Sequence, residues 1–336
     1  MECFLNVQNL TACVKKDGKN LKILDNISFK IDEGEILGLA GESGCGKSMT
    51  ALCIPNLLPS SVKITEGDIN YKGLSLTTHG EKEMRSVRTS EIAMLFQDSR
   101  AALNPLIKVG KQITETLELG RGKRLNNREQ KAKDRETALE MLSSLGFGDP
   151  ERIFDAYPHQ LSGGMCQRVM TAIAVIRQPK LLLADEPSSS LDKESEQKCL
   201  TLLLEMNKSR KMSLLIISHD LSIIQKYTER FLIMYAGKIV EEGPSSSLFS
   251  PLHPYTRALI NAIPNKEKRG KNLESIPGRV PTIEDRQSGC PFAPRCPKAQ
   301  QICKDTFPPA KEIGGGTSSA ASRGKVYCYF PEKENG

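Results

Sequence analysis

The sequence predicts an α/β fold built on a mostly parallel sheet, and three observations predict it. Short apolar runs that read as buried strands alternate with stretches of helical spacing along most of the chain. One such run, Gly34-Glu35-Ile36-Leu37-Gly38-Leu39-Ala40, leads through a glycine-rich turn into the helix-like Met49-Thr50-Ala51-Leu52-Cys53-Ile54. After Pro244 prolines become frequent and apolar periodicity fades, which marks an appendage on the core. The expected division is a core over residues 1–245, with a helical subdomain inserted at about 107–178, and a Cys-containing C-terminal appendage over 246–336.

Each element follows from the local pattern. Residues 4–10 and 21–31 read as strands of a small antiparallel β subdomain, with a turn over Lys15-Lys16-Asp17-Gly18-Lys19-Asn20. Asp32-Glu33-Gly34 is a second turn. Ile64 to Tyr71 alternates as a strand does and is broken by Gly67. Glu91 to Phe96 is a buried strand ending at Gln97. From roughly 107 to 146 the spacing is helical and charged residues abound. Met165 to Ile176 is apolar at helical spacing and stops before Pro179. Leu181–Ala184 and Leu214–Ile217 are two more buried strands. Gly314 to Gly324 is a Gly/Ser/Ala stretch with the composition of a flexible linker.

Composition narrows the class. In 336 residues, 38% are hydrophobic and 26% charged, as in soluble globular proteins. No run approaches the ~18 apolar residues of a membrane span. Met1-Glu2-Cys3-Phe4-Leu5-Asn6 lacks the basic and apolar segments of a secretory signal, which points to the cytosol. Ten cysteines in such a setting argue against a disulfide framework. The net charge of +7 is mild. Arg121 to Arg135 holds seven basic residues among acids, and reads as a solvated helical face in preference to a nucleic-acid patch.

Gly41-Glu42-Ser43-Gly44-Cys45-Gly46-Lys47-Ser48 satisfies G-x-x-x-x-G-K-[ST] at every fixed position, on a strand-to-helix turn. This is the core motif of a P-loop NTPase. The glycines let the backbone curl so that its amides face a polyphosphate, and the helix start adds partial positive charge. Lys47 is expected on the β- and γ-phosphates and the Ser48 hydroxyl on Mg²⁺. Cys45, inside the loop, is expected to be open to oxidation. Lys180-Leu181-Leu182-Leu183-Ala184-Asp185-Glu186 is an apolar strand ending in two acids. Asp185 can bind Mg²⁺, directly or through water, and Glu186 can polarise a water in line with the γ-phosphate. Such a pair alone also fits a solvated strand end. Leu161-Ser162-Gly163-Gly164-Met165 would expose amides at the start of the next helix, a second anion site.

A phosphate loop, then Leu161-Ser162-Gly163-Gly164, then Asp185-Glu186 resembles the ATP-binding cassette (ABC) proteins, whose signature is that L-S-G-G run. The resemblance implies binding and hydrolysis of ATP with Mg²⁺. It implies that Gln97 is the Q-loop glutamine, touching Mg²⁺ or the attacking water. It makes Ser190-Leu191-Asp192 the D-loop and His219 the switch histidine that contacts the γ-phosphate. Cassettes of this family pair head to tail, so Ser162, Gly163, Gly164 and Met165 would serve a partner's nucleotide. Two residues depart from the pattern. Val14 stands where the family usually stacks an aromatic on adenine, and Met165 stands where the commonest signature has Gln.

Met165, followed by Cys166-Gln167-Arg168, resembles the peptide-transporter branch, which usually has Arg in place of Cys166. The same branch is resembled by Phe96-Gln97-Asp98, Leu103-Asn104-Pro105, His253-Pro254-Tyr255-Thr256-Arg257-Ala258-Leu259, Ile276 to Pro281 and Gly289 to Pro297. This implies an ATPase subunit of an ABC importer of dipeptides, oligopeptides or nickel. Its expected place is peripheral, on the cytoplasmic face of the membrane. Its expected partners are a second, different ATPase subunit, two permease subunits and an extracytoplasmic substrate-binding protein, and no nucleic acid. The alternatives are a soluble cassette protein of translation or DNA repair and an exporter. The first typically has two cassettes or a long coiled-coil insertion, the second fused membrane helices, and neither feature is visible.

Cys3, Cys13, Cys53 and Cys199 read as small apolar fillers. Cys290, Cys296, Cys303 and Cys328 cluster in the appendage, which is too poor in apolar residues to hold a shape unaided. They are expected to ligate one metal centre. Gaps of five, six and twenty-four residues exceed the C-x₂₋₄-C spacing usual for zinc, and four thiolates suit a [4Fe–4S] cluster. The resembled branch includes members with such a cluster at matching cysteines. Zn²⁺ and no metal are the alternatives.

Overall fold

The computed structural model describes residues 4–121, 128–188, 191–263, 275–313 and 324–332. Cys3, Ser190, residues 122–127 of the basic stretch and residues 314–323 of the Gly/Ser/Ala stretch lie outside the described residues. The chain forms two compact units. One comprises Met1–Ile31, Ile36–Thr78 and Ser218–Gly336, the other Asp32–Glu35 and His79–Ile217.

The first unit opens with an antiparallel sheet in the order Lys19–Ile31, Leu5–Lys16, Val62–Tyr71, Leu74–Ser75. The first strand runs to Lys16, well past the expected end at residue 10. Register shifts between Val7 and Cys13 break its alternation, which hides its second half from a period-two reading. The turn narrows to Asp17-Gly18, both at positive φ, as a tight hairpin requires. Gly67 sits at φ +85° opposite one of the irregularities, where a Cβ would lie 2.4 Å from the carbonyl oxygens of both Gln8 and Asn9.

The wholly buried strand Ile36–Ala40 pairs in parallel with Arg230–Tyr235. Arg230–Tyr235 turns back through Ala236-Gly237, again both at positive φ, into Lys238–Pro244. Two short strands of the appendage extend this ladder: Gly324–Val326 pairs with Lys238–Pro244, and Lys311–Ile313 with Gly324–Val326. The appendage is thus sheet-linked to the strand before Pro244.

The second unit holds three parallel strands in the order Ile92–Leu95, Leu181–Asp185, Ser213–Ser218. Its helices include Val109–Gly120, Arg128–Ser144, Pro150–Asp155, Gly163–Val175 and Lys193–Arg210. The described part of the basic stretch serves their packing. Arg121 makes a two-pronged bond to the buried Asp134 at 2.8 and 2.5 Å, linking Val109–Gly120 to the next helix. Arg135 pairs with Glu151 and lies over the Phe154 ring. No helix of the described residues is long and apolar enough to cross a membrane.

Gly67→Ala places a Cβ inside the neighbouring backbone at a positive φ. It is expected to lower stability by ~1–3 kcal/mol, read as a lower chemical-denaturation midpoint. An unchanged midpoint would show that the bulge does not require glycine.

Candidate functional site

In the first unit, Ile36–Ala40 delivers the chain into Gly41–Ser48. Gly41 (φ +152°) passes so close to the strand Arg230–Tyr235 that a Cβ would sit 2.2 Å from the Met234 carbonyl oxygen. Gly46 (φ +111°) would bring a Cβ to 2.8 Å from Leu24. At these two positions only glycine fits. The Lys47 side chain is buried under the turn, its Nζ donating to the carbonyl oxygens of Gly41 at 2.8 Å and Glu42 at 3.0 Å. An ammonium group held by two loop carbonyls, with the Cys45 sulfur at 3.9 Å, can exchange the carbonyls for phosphate oxygens. Ser43 and Gly44 are exposed and Ser48 is half-buried at the helix start. Cys45 corrects the expectation of an oxidisable thiol: it is fully buried, and burial pushes its pKa up, so it stays a protonated filler.

Glu42 is held by groups that sequence reasoning did not single out. Its amide donates to the Tyr255 hydroxyl at 2.8 Å. Its carboxylate accepts from Arg295 Nη1 at 2.7 Å and Nη2 at 3.2 Å. Tyr255 belongs to the His253-to-Leu259 segment, whose start is fixed by a buried carboxylate. Glu241 accepts from the amides of Leu252 at 2.9 Å and His253 at 3.0 Å, and His253 Nδ1 accepts from the Tyr255 amide at 3.1 Å. Burial pushes the His253 imidazole down to about 3, so the ring is neutral and free to accept that bond. Tyr235, Tyr255 and Phe292 pack ring against ring, with centroids 4.5–5.3 Å apart. His219 follows the strand Ser213–Ser218 and is exposed.

The four appendage cysteines line one cavity, together with His253, Phe292 and Pro308 among others. None is in a disulfide. Gly289 is pressed against the backbone of Cys303 and Lys304, with the Cys290 amide donating to the Cys303 carbonyl at 2.7 Å. Burial pushes the thiols of Cys290 and Cys328 up, to about 12 and about 11, and that of Cys296 up as well. The expected metal centre gains no support here. Among the described residues no group of three or more His, Cys, Asp or Glu could hold a metal ion. The four thiols line a shared cavity, which by itself gives direct support to neither Zn²⁺ nor a [4Fe–4S] cluster.

In the second unit, Asp185 ends the strand Leu181–Asp185 and is buried. Glu186 follows at φ +51°, a left-handed backbone unusual for a residue with a side chain, and its amide donates to the Ile217 carbonyl at 3.0 Å. This turn brings the Glu186 carboxylate to 3.5 Å from Gln97 Nε2, so two residues 89 apart in sequence meet. The helix expected from Met165 begins at Gly163. Ser162 is its N-cap, its hydroxyl accepting from the Met165 amide at 3.3 Å. Buried Gln167, one turn on, donates to the Pro187 carbonyl at 3.1 Å and ties this helix to the turn after Glu186. Cys166 is buried, its thiol 3.6 Å from the Pro158 carbonyl. Asp192 caps the helix Lys193–Arg210, accepting from the Ser195 amide and hydroxyl at 2.9 Å each. Those bonds hold its carboxyl below the usual range.

The chain resembles known proteins along nearly its whole length. The family described as ABC transporter matches residues 24–189, and the family described as oligopeptide/dipeptide transporter, C-terminal region, matches residues 240–303. A dipeptide transport ATP-binding protein of Haemophilus influenzae is 40% identical over 99% of this chain and 97% of its own length. The dipeptide transport ATP-binding protein of Escherichia coli is 37% identical over 99% and 98%. An ATP-binding cassette solved as a dimer in a post-hydrolysis state, bound to ADP and Pi, superposes with a TM-score of 0.65. It is 27% identical, over 72% of this chain and 98% of that one. The chain therefore belongs to the ABC transporter family, as an ATPase that carries the oligopeptide/dipeptide transporter C-terminal region.

Proposed function

We propose that the chain binds and hydrolyses ATP to drive import of dipeptides or oligopeptides through a separate permease. The observation that carries this reading is the glycine turn that ends the strand Ile36–Ala40, with the Lys47 ammonium held beneath it. Residues Gly41, Glu42, Ser43, Gly44, Cys45, Gly46, Lys47 and Ser48 would wrap the polyphosphate. Mg²⁺ would be held by Ser48, Gln97 and Asp185 and would neutralise charge on the β- and γ-phosphates. Glu186 would polarise the attacking water, with Gln97 beside it and His219 on the γ-phosphate. Ser162, Gly163, Gly164 and Met165 would face the nucleotide of a second cassette, with Asp192 at the same junction.

The proposed assembly has two ATPase subunits, of which the second is a different chain, two permease subunits and an extracytoplasmic substrate-binding protein. It sits at the cytoplasmic face of the membrane. The names of the relatives favour dipeptides over nickel as cargo. The core is proposed to occupy 1–245 and the appendage 246–336. For the four appendage cysteines a [4Fe–4S] cluster is the proposed ligand. The support for it is their shared cavity and the four-thiolate donor set, since each thiolate of such a cluster binds a different iron.

Glu186→Gln is expected to keep ATP binding and to slow turnover of the assembled transporter by ~10²–10⁴-fold. Lys47→Ala is expected to weaken ATP binding itself. Near-normal turnover in the first variant would remove Glu186 from the chemistry, and unchanged affinity in the second would displace the phosphate loop.

A chain that supplies half of each site is expected to be a poor ATPase alone. Its specific activity should rise with protein concentration and with addition of the partner ATPase and permease subunits. Full activity that is independent of concentration would contradict shared sites.

Protein purified without oxygen is expected to contain iron and sulfide, and Cys→Ser at any of the four positions should abolish both while ATP binding survives. Because the thiols must shed protons that burial retains, loading should improve as pH rises. Stoichiometric zinc, or no metal with the appendage folded, would discard the cluster.

A further inference from the structure

We propose that Arg295, in the appendage, is a positioning residue of the nucleotide site: it neutralises and pins Glu42 so that the phosphate loop can accept a polyphosphate. The inference rests on reading Gly41–Ser48 as that loop, and it adds a residue about 250 positions downstream to the site.

The first part of the case is electrostatic. Glu42 places a carboxylate at the second position of a turn that must hold a polyanion. Unpaired, that charge repels the ligand, and it does so more strongly in a partly dry site than in water. Arg295 meets it with both forks, at 2.7 and 3.2 Å, and the two side chains are 6% and 25% exposed. A pair so shielded is screened little by salt.

The second part is geometric. All five guanidinium donors are used. Besides the two bonds to Glu42, Nη1 donates to the Tyr235 hydroxyl at 3.1 Å, Nη2 to the Ile276 carbonyl at 3.2 Å, and Nε to the Pro277 carbonyl at 2.7 Å. The guanidinium also lies 5.8 and 6.0 Å from the ring centres of Tyr235 and Phe292. Arg295 is therefore locked, and it transmits that rigidity to Glu42. The same residue is fixed through its amide by Tyr255 and through its carbonyl by Lys47. Lysine offers three donors and no planar fork, so it cannot reproduce the clamp. Arg295 is also the residue before Cys296, and Phe292 stands two residues after Cys290. The appendage segment from Cys290 to Cys296 thus touches the phosphate loop through Arg295.

The test is equilibrium titration of the intact chain with a fluorescent ATP analogue and Mg²⁺. Arg295→Met, Arg295→Lys, Glu42→Gln, the double variant Glu42→Gln/Arg295→Met, and Lys47→Ala are compared. Arg295→Met strands the Glu42 charge and should weaken binding about tenfold or more. Arg295→Lys keeps the charge without the fork and should weaken it by about threefold. The decisive expectation is a rescue. The double variant should bind more tightly than Arg295→Met, because removing the stranded carboxylate removes the repulsion. A purely structural role predicts the opposite, since Glu42→Gln cannot repair a loosened appendage. A double variant no tighter than Arg295→Met, or wild-type affinity in Arg295→Met and Arg295→Lys, would overturn the proposal. Wild-type affinity in Lys47→Ala would instead overturn the phosphate-loop reading beneath it.

Discussion

The backbone of Gly41 lies against the carbonyl oxygen of Met234, with no room for even one carbon between them. Much of the first unit depends on that approach. It requires Ile36–Ala40 to run in parallel beside Arg230–Tyr235, so that the turn leaving the first strand meets the end of the second. It requires glycine at the turn, which leaves backbone carbonyls pointing at Lys47 and not at a side chain. A buried ammonium is costly unless it is bonded. Here the loop supplies the bonds, in a form that a phosphate can replace.

The appendage is built onto the same strands. Tyr235 is the last residue of Arg230–Tyr235 and packs between Tyr255 and Phe292. Lys238–Pro244 continues the ladder and accepts the two short strands Gly324–Val326 and Lys311–Ile313. A segment poor in apolar residues thereby gains shape from backbone pairing and from one aromatic cluster. This explains how it can be ordered around its cysteines without a large core of its own. The Glu241 carboxylate anchoring the turn at His253 belongs to the same economy: one buried acid satisfies two amides that would otherwise lack partners.

Much of this was legible in the sequence, because the site motifs are local. The phosphate loop is specified by glycines at fixed spacing, and Asp185-Glu186 by a buried strand that stops. Other features left weaker traces. Leu5–Lys16 looked short because bulges shift its inward face. The helix at Gly163 looked two residues shorter because glycines depress helix propensity, and only the Ser162 cap reveals its start. The hairpin Arg230–Pro244 turns through Ala236-Gly237, which lacks the Asn-Gly or Asp-Gly of the usual signal. The clamp of Arg295 on Glu42 left no trace at all, since a contact between residues so distant has no period or spacing. The thiols of the appendage are the converse. Their sequence pattern points to a metal, whereas the described residues share a cavity and include no group of three or more that could hold an ion.

The most direct measurement is calorimetric titration of the intact chain with ATP, ADP and AMP in the presence of Mg²⁺. A loop whose amides and Lys47 hold the β-phosphate should bind ATP and ADP and bind AMP about a hundredfold more weakly or worse, because AMP lacks the group the loop grips. Comparable affinity for all three nucleotides would mean that binding rests on the nucleoside, and would contradict the assignment of Gly41–Ser48 as the phosphate-binding turn.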